Sequence, residues 1–136
     1  MGFLAVLVAA AASYALGAVW YMALANPWME AAGVNPQKMK EEGKGGSPVP
    51  FIIAAIAALL VAGMMRHLFG QAGITGISKG ALSGLGIGAF MITPWVAMNY
   101  AYAMRPRNLT LIDGGYSILG CTLMGAVLGY FAAGAA

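Results

Sequence analysis

Charge is what this sequence lacks most. Only 8% of its 136 residues are Asp, Glu, Lys or Arg, against about a quarter in an ordinary soluble domain. With 61% of its residues hydrophobic, so short a chain cannot hide its apolar surface from water, because a folded domain of that size still exposes roughly a third of what its unfolded chain exposes. The excess must face hydrocarbon, which points to an integral membrane protein. One cysteine, Cys121, excludes an intramolecular disulfide, and its place inside an apolar run says nothing about redox compartment. There is no HExxH, no paired-cysteine motif, no phosphate-cradling GxxxxGK[ST] loop and no Ser-His-Asp set at plausible depth. A non-enzymatic protein without a cofactor is therefore expected. The net charge of +3 comes from basic residues in short connectors, which is unlike a nucleic-acid footprint.

What is present is apolar length. A transmembrane helix needs about 20 apolar residues, and four segments reach that length, at roughly 3–25, 49–69, 80–104 and 109–133. Helices satisfy their own backbone hydrogen bonds in lipid, and no short alternating segments suggest a barrel. The expected fold is an all-α membrane protein, residues 1–136 forming one antiparallel bundle of four transmembrane helices. The first run lacks a basic leader and exceeds the roughly 7–15 residue core of a secretory signal, so it is expected to remain as a span.

The connectors fit this division. Asn26-Pro27 and Asn35-Pro36 are favoured helix starts, an asparagine cap followed by proline, and they predict a short interfacial helical loop between the first two spans. There Trp28, Met29, Val34 and Met39 would rest on the membrane, with Lys38, Lys40, Glu41, Glu42 and Lys44 in water. Lys38, Lys40, Lys44, Arg105 and Arg107 fall on one side, against Arg66 and Lys79 on the other. The rule that basic loops stay cytoplasmic then places both termini outside. Trp20, Tyr21, Trp28, Tyr100, Tyr102 and Tyr116 share one headgroup level, and Phe3, Phe69, Tyr130 and Phe131 mark the other.

Small residues recur at helical spacing. Gly80, Gly84 and Gly88 form a ladder in the third span, and Ser117, Cys121, Gly125 and Gly129 repeat it in the fourth. Ala9, Ser13 and Gly17 do likewise in the first, and Ala54, Ala58 and Ala62 in the second. Such stripes let helix backbones approach closely. With four stripes and a small bundle to fill, at least one is expected to serve a homo-oligomer or a larger membrane complex. Pro94 should kink the third span and free a carbonyl, which Thr93 or a neighbouring helix would satisfy.

The stretch NYAYAMRPRNLTLIDGGY, residues 99–116, gathers the polar groups. Thr110 and Asp113 have capping-box spacing, with the acid expected in the first helical turn beside an arginine ion pair. Asn99, Tyr100, Arg105, Arg107, Asp113 and Tyr116 thus form a candidate interfacial cluster with three readings. It is a structural edge, an arginine fork for lipid phosphate or an acidic partner, or part of a proton or ion path. His67 follows Met64 and Met65, a set that would suit copper or haem, although adjacent methionines on a helix point apart.

Several of these segments resemble one known family. LGAVWY at 16–21, NY at 99–100, RP at 105–106, LIDGGY at 111–116 and MGAVLG at 124–129 resemble the small bacterial membrane family catalogued as domain of unknown function 1761. The resemblance implies four membrane helices in a prokaryotic inner membrane and implies no activity. The chain departs from that pattern after Tyr21, where Met22-Ala23 replace Ser-Pro, and at Ala103-Met104, where an acidic residue or glycine is frequent. Two functions are then expected to compete. One is a structural or accessory subunit that associates with itself or docks on a larger membrane complex among lipids. The other is a small oligomeric transporter or channel with a polar path past Pro94, Asn99 and Asp113.

Overall fold

A computed structural model describes residues 2–35, 37, 41, 43 and 48–135. Helix α1 spans Gly2–Ala23, α2 Ala25–Ala32, α3 Val49–Ala72, α4 Ile77–Ile87, α5 Thr93–Tyr102 and α6 Arg107–Ala135, with a π-helical turn over Gly88–Ile92 joining α4 to α5. Among the described residues, four helical stretches are long and apolar enough to cross a membrane: Gly2–Ala23, Val49–Ala72, Ile77–Tyr102 and Arg107–Ala133. The third begins three residues before the sequence reading places it. The chain reverses at Gly73 and Gly76, both at positive φ, and Ser78 and Lys79 are taken up into the first turn that follows.

The third span ends early for a backbone reason. Arg105 N–H donates to the Tyr100 carbonyl at 2.9 Å and Met104 N–H to Ala101 at 3.1 Å, the paired bonds of a Schellman cap. That cap needs a left-handed residue, and Met104 supplies it at φ 58°. Pro106 then opens α6, so Thr110 lies inside the helix and Asp113 in its second turn. The expected capping box is thus not formed. At the other connector, α2 starts at Ala25 with Leu24 before it and no side-chain cap, so Asn26 does not cap as expected. Asn35 does accept a hydrogen bond from Gln37 N–H at 3.0 Å. The second surface helix expected there cannot be followed, since Met39, Lys38, Lys40, Glu42 and Lys44 lie outside the described residues.

Helix α6 is the centre of the molecule. It packs against the third span on one side and α1 on the other, while α3 leans mainly on α1. Across the molecule the spans therefore run third, fourth, first, second, each antiparallel to its neighbour. The glycine stripes explain the closest pair. A Cβ on Gly80 would fall on the Gly125 carbonyl, one on Gly84 on the Cys121 carbonyl, one on Gly88 on the Ser117 carbonyl, and one on Gly129 on the Gly76 carbonyl. Gly76 N–H also donates to Gly129 O at 2.9 Å. Backbone thus meets backbone along the seam, and lipid-phase association rests on such contact. Ala9, Ser13, Gly17, Ala58 and Ala62 are buried as well, and Ala54 alone of the stripes faces outward. Within the chain these stripes, Ala54 excepted, lie against another helix.

Pro94 behaves as its chemistry requires. It cannot donate to the turn before it, and the ladder widens there into the π-helical turn, where Thr93 N–H reaches the Gly88 carbonyl. The Thr93 hydroxyl donates to the same carbonyl at 2.6 Å and stands 3.4 Å from the Gly114 carbonyl of α6.

Candidate functional site

Asp113 lies six residues into α6, about 9 Å along its axis, and three other elements converge on it. Its Oδ1 accepts hydrogen bonds from the Tyr21 hydroxyl of α1 at 2.6 Å and from the Trp28 indole of α2 at 3.1 Å. Its Oδ2 accepts one from the Tyr100 hydroxyl of α5 at 2.5 Å. A carboxylate has about four acceptor sites, so three are filled by neutral donors. Tyr21 also packs edge-on against Trp28, with centroids 6.2 Å apart, and against Tyr116 at 5.4 Å.

The residues around the carboxylate extend this fastening. Trp20 donates from its indole to the Ile112 carbonyl at 2.9 Å. Tyr116 donates to the Ser13 carbonyl at 2.9 Å, with the Ser13 hydroxyl 3.3 Å away. The glycines of LIDGGY make room for these partners: a Cβ on Gly114 would strike Thr93, and one on Gly115 would strike the Trp20 ring. A Cβ on Gly17, across the interface, would strike the Tyr116 ring. Every position of DGGY thus either holds a neighbouring element or clears space for it.

The expected arginine ion pair is replaced. Arg105 donates instead to the Ala32 carbonyl at the end of α2, at 3.0 Å, and so ties the third connector to the surface helix. Of the sequence-predicted cluster, Tyr100, Asp113 and Tyr116 come together and Arg105 stands beside them. Asn99 and Arg107 are exposed and join neither carboxylate nor ring. Pro94 and Asn99 are exposed on the third span whereas Asp113 turns inward, so the three do not line one path within a single chain. Tyr21, Trp20 and Trp28 are the residues the sequence reading left out of the site. Their signal was the shared headgroup level of the aromatics, read there only as a belt. Trp28, expected to rest on the membrane, donates to Asp113.

The methionine and histidine set does not converge. Met65 is buried in the core, while Met64 and His67 are exposed, and among the described residues no three His, Cys, Asp or Glu side chains are grouped to hold a metal.

The architecture is that of a multi-pass helical membrane protein in which the Asp113 carboxylate of the fourth span is ringed by aromatic donors. The chain belongs to the family described as "Protein of unknown function (DUF1761)", whose model matches residues 4–129. No curated protein and no solved structure matches the chain. The segments singled out above for their resemblance meet in space: Gly17, Trp20, Tyr21, Tyr100, Arg105 and Asp113 through Tyr116 at or beside the ring, and Gly125 and Gly129 along the glycine seam.

Proposed function

We propose that this protein is a non-enzymatic subunit of the bacterial inner membrane, structural or accessory in role, assembling with itself or with a larger membrane complex. The observation that carries the reading is the closure of Asp113 by Tyr21, Trp28 and Tyr100. A carboxylate so engaged fastens α1, α2, α5 and α6 to one another. Moving a solute or a proton past it would first require breaking that ring, which favours the structural role over the transport one. An assembly would draw on the apolar flank of α3, where Phe51, Ile53, Ile56 and Leu60 are exposed together with the small Ala54 and which leans mainly on one neighbour.

Native mass spectrometry of the protein released from lipid nanodiscs tests the assembly, with a defined oligomer or stoichiometric complex expected. A monomer alone at every protein-to-lipid ratio would overturn it. The proposed orientation puts both termini on the periplasmic side. A cysteine introduced at exposed Asn108 should then be labelled only from the cytoplasm, and one at Gln71 only from the periplasm. The reverse pattern would invert the topology.

A further inference from the structure

At the end of the molecule away from Asp113, the last turns of α3, the first turn of α1, the end of α6 and the turn at Gly73 enclose a half-open cavity of about 880 Å³. That volume lies within the roughly 300–1,000 Å³ of small-ligand sites. Among the described residues the lining carries one charged side chain, the Arg66 guanidinium, with the polar His67 and Gln71 beside it and no acidic side chain. Phe69, Leu128 and Phe131 form an apolar wall. Arg66 reaches across from α3 to α1, since a Cβ on Gly2 would fall on its guanidinium. The side chains of Arg66, His67 and Gln71 make no hydrogen bond or ion pair among the described residues.

Arg66 is exposed at the mouth of the cavity and has no partner among the described residues, which leaves its guanidinium free to pair with an anion seated against the apolar wall. Its planar fork matches the oxygens of a phosphate bidentately, and it is more weakly hydrated than an ammonium. Depth favours phosphate as well. Arg66 lies six residues before the end of α3, about 9 Å in, where a long side chain reaches the level of lipid phosphates.

We propose that this cavity binds a phosphate group, presented by an anionic phospholipid or as the free anion, with Arg66 as its ion-pair partner and His67 and Gln71 as hydrogen-bond donors. The apolar wall then receives the glycerol and first acyl carbons when the phosphate belongs to a lipid. Binding at this site is independent of the Asp113 ring and of any assembly.

The test is lipid retention by the full chain in mild detergent, read by native mass spectrometry during titration with phosphatidylglycerol. One lipid bound per chain is expected, weakened about tenfold or more by Arg66→Gln, as the loss of a charge-assisted contact implies. Gln71→Ala should weaken it several-fold, and Arg105→Gln, at the opposite end, should leave it unchanged. Displacement of the lipid by millimolar inorganic phosphate would identify the free anion as the ligand, and resistance to it would identify the lipid. Circular dichroism checks the fold of each variant, and if Arg66→Gln does not fold, Gln71→Ala decides. Wild-type retention in the folded variants, an equal loss in Arg105→Gln, or no saturable binding of either probe would overturn the proposal.

Discussion

The Tyr21 hydroxyl meets Oδ1 of Asp113 at 2.6 Å across 92 residues of sequence, and this bond ties the first span to the last. Removing the carboxylate should therefore loosen the whole bundle rather than one turn of α6. Asp113→Ala leaves three donors unpaired at about 1 kcal/mol or more each, so a loss of about 3 kcal/mol is expected. Asp113→Asn keeps an acceptor and should cost about half as much. Unfolding in mixed micelles with rising SDS measures both, and an alanine variant as stable as the wild type would remove the fastening role.

Trp28 carries the surface helix. Trp28→Phe keeps a ring edge near Tyr21 and loses only the indole N–H, at a cost of about 1 kcal/mol. The effect should be local. Hydrogen exchange is expected to accelerate across Ala25–Ala32 and to stay unchanged in the middle of α6. Uniform acceleration would mean that α2 is not held mainly through Asp113.

Glycine position should matter more than glycine number. Gly80→Ala, Gly84→Ala and Gly125→Ala each set a methyl group on the backbone of the facing helix, which cannot yield as a side chain can. Losses of about 3 kcal/mol or more are expected, at or above the usual range for overpacking. Gly63 and Gly70 face open space, so alanine there should be neutral or stabilise by up to about 1 kcal/mol. Equal effects at the two sets of positions would refute the backbone seam.

Met104 holds a left-handed conformation at φ 58° and is 91% exposed, so it bears backbone strain with no packing in return. A non-glycine residue there costs roughly 1–2 kcal/mol. Allowing for the greater freedom of glycine in the unfolded chain, Met104→Gly should stabilise by about 1 kcal/mol in the same SDS titration. Destabilisation would show that the third span does not end in this cap.

Cys121 is a reporter already in place. It is 4% exposed and lies on the seam with Gly84, so a maleimide should react only after the third and fourth spans separate. Modification should then track SDS unfolding. Fast labelling of the native protein would place Cys121 on an open face.

Much of the fold was legible because it depends on composition and period. Apolar run length dictates four spans, and small residues every four positions dictate close packing, whatever the neighbours are. The ring around Asp113 was legible only in part. Tyr100, Asp113 and Tyr116 lie near one another in the chain, and the spacing drew attention to them. Tyr21 and Trp28 belong to elements many residues away, and nothing local distinguishes a tyrosine that anchors in headgroups from one that donates to a carboxylate. The capping-box reading of Thr110 failed for a related reason: Pro106 starts α6 earlier, which puts Asp113 a turn too deep to cap and deep enough to meet α1.

By itself, then, the sequence determined that this chain lives in hydrocarbon, that it crosses four times and that its helices touch through small residues, since each follows from local chemistry against lipid. Which stripe meets which was decided only by the tertiary structure, as were the order of the spans across the molecule and the exchange of an arginine partner for three aromatic donors at Asp113. Those outcomes depend on which backbones can approach one another, and distance along the chain does not encode that.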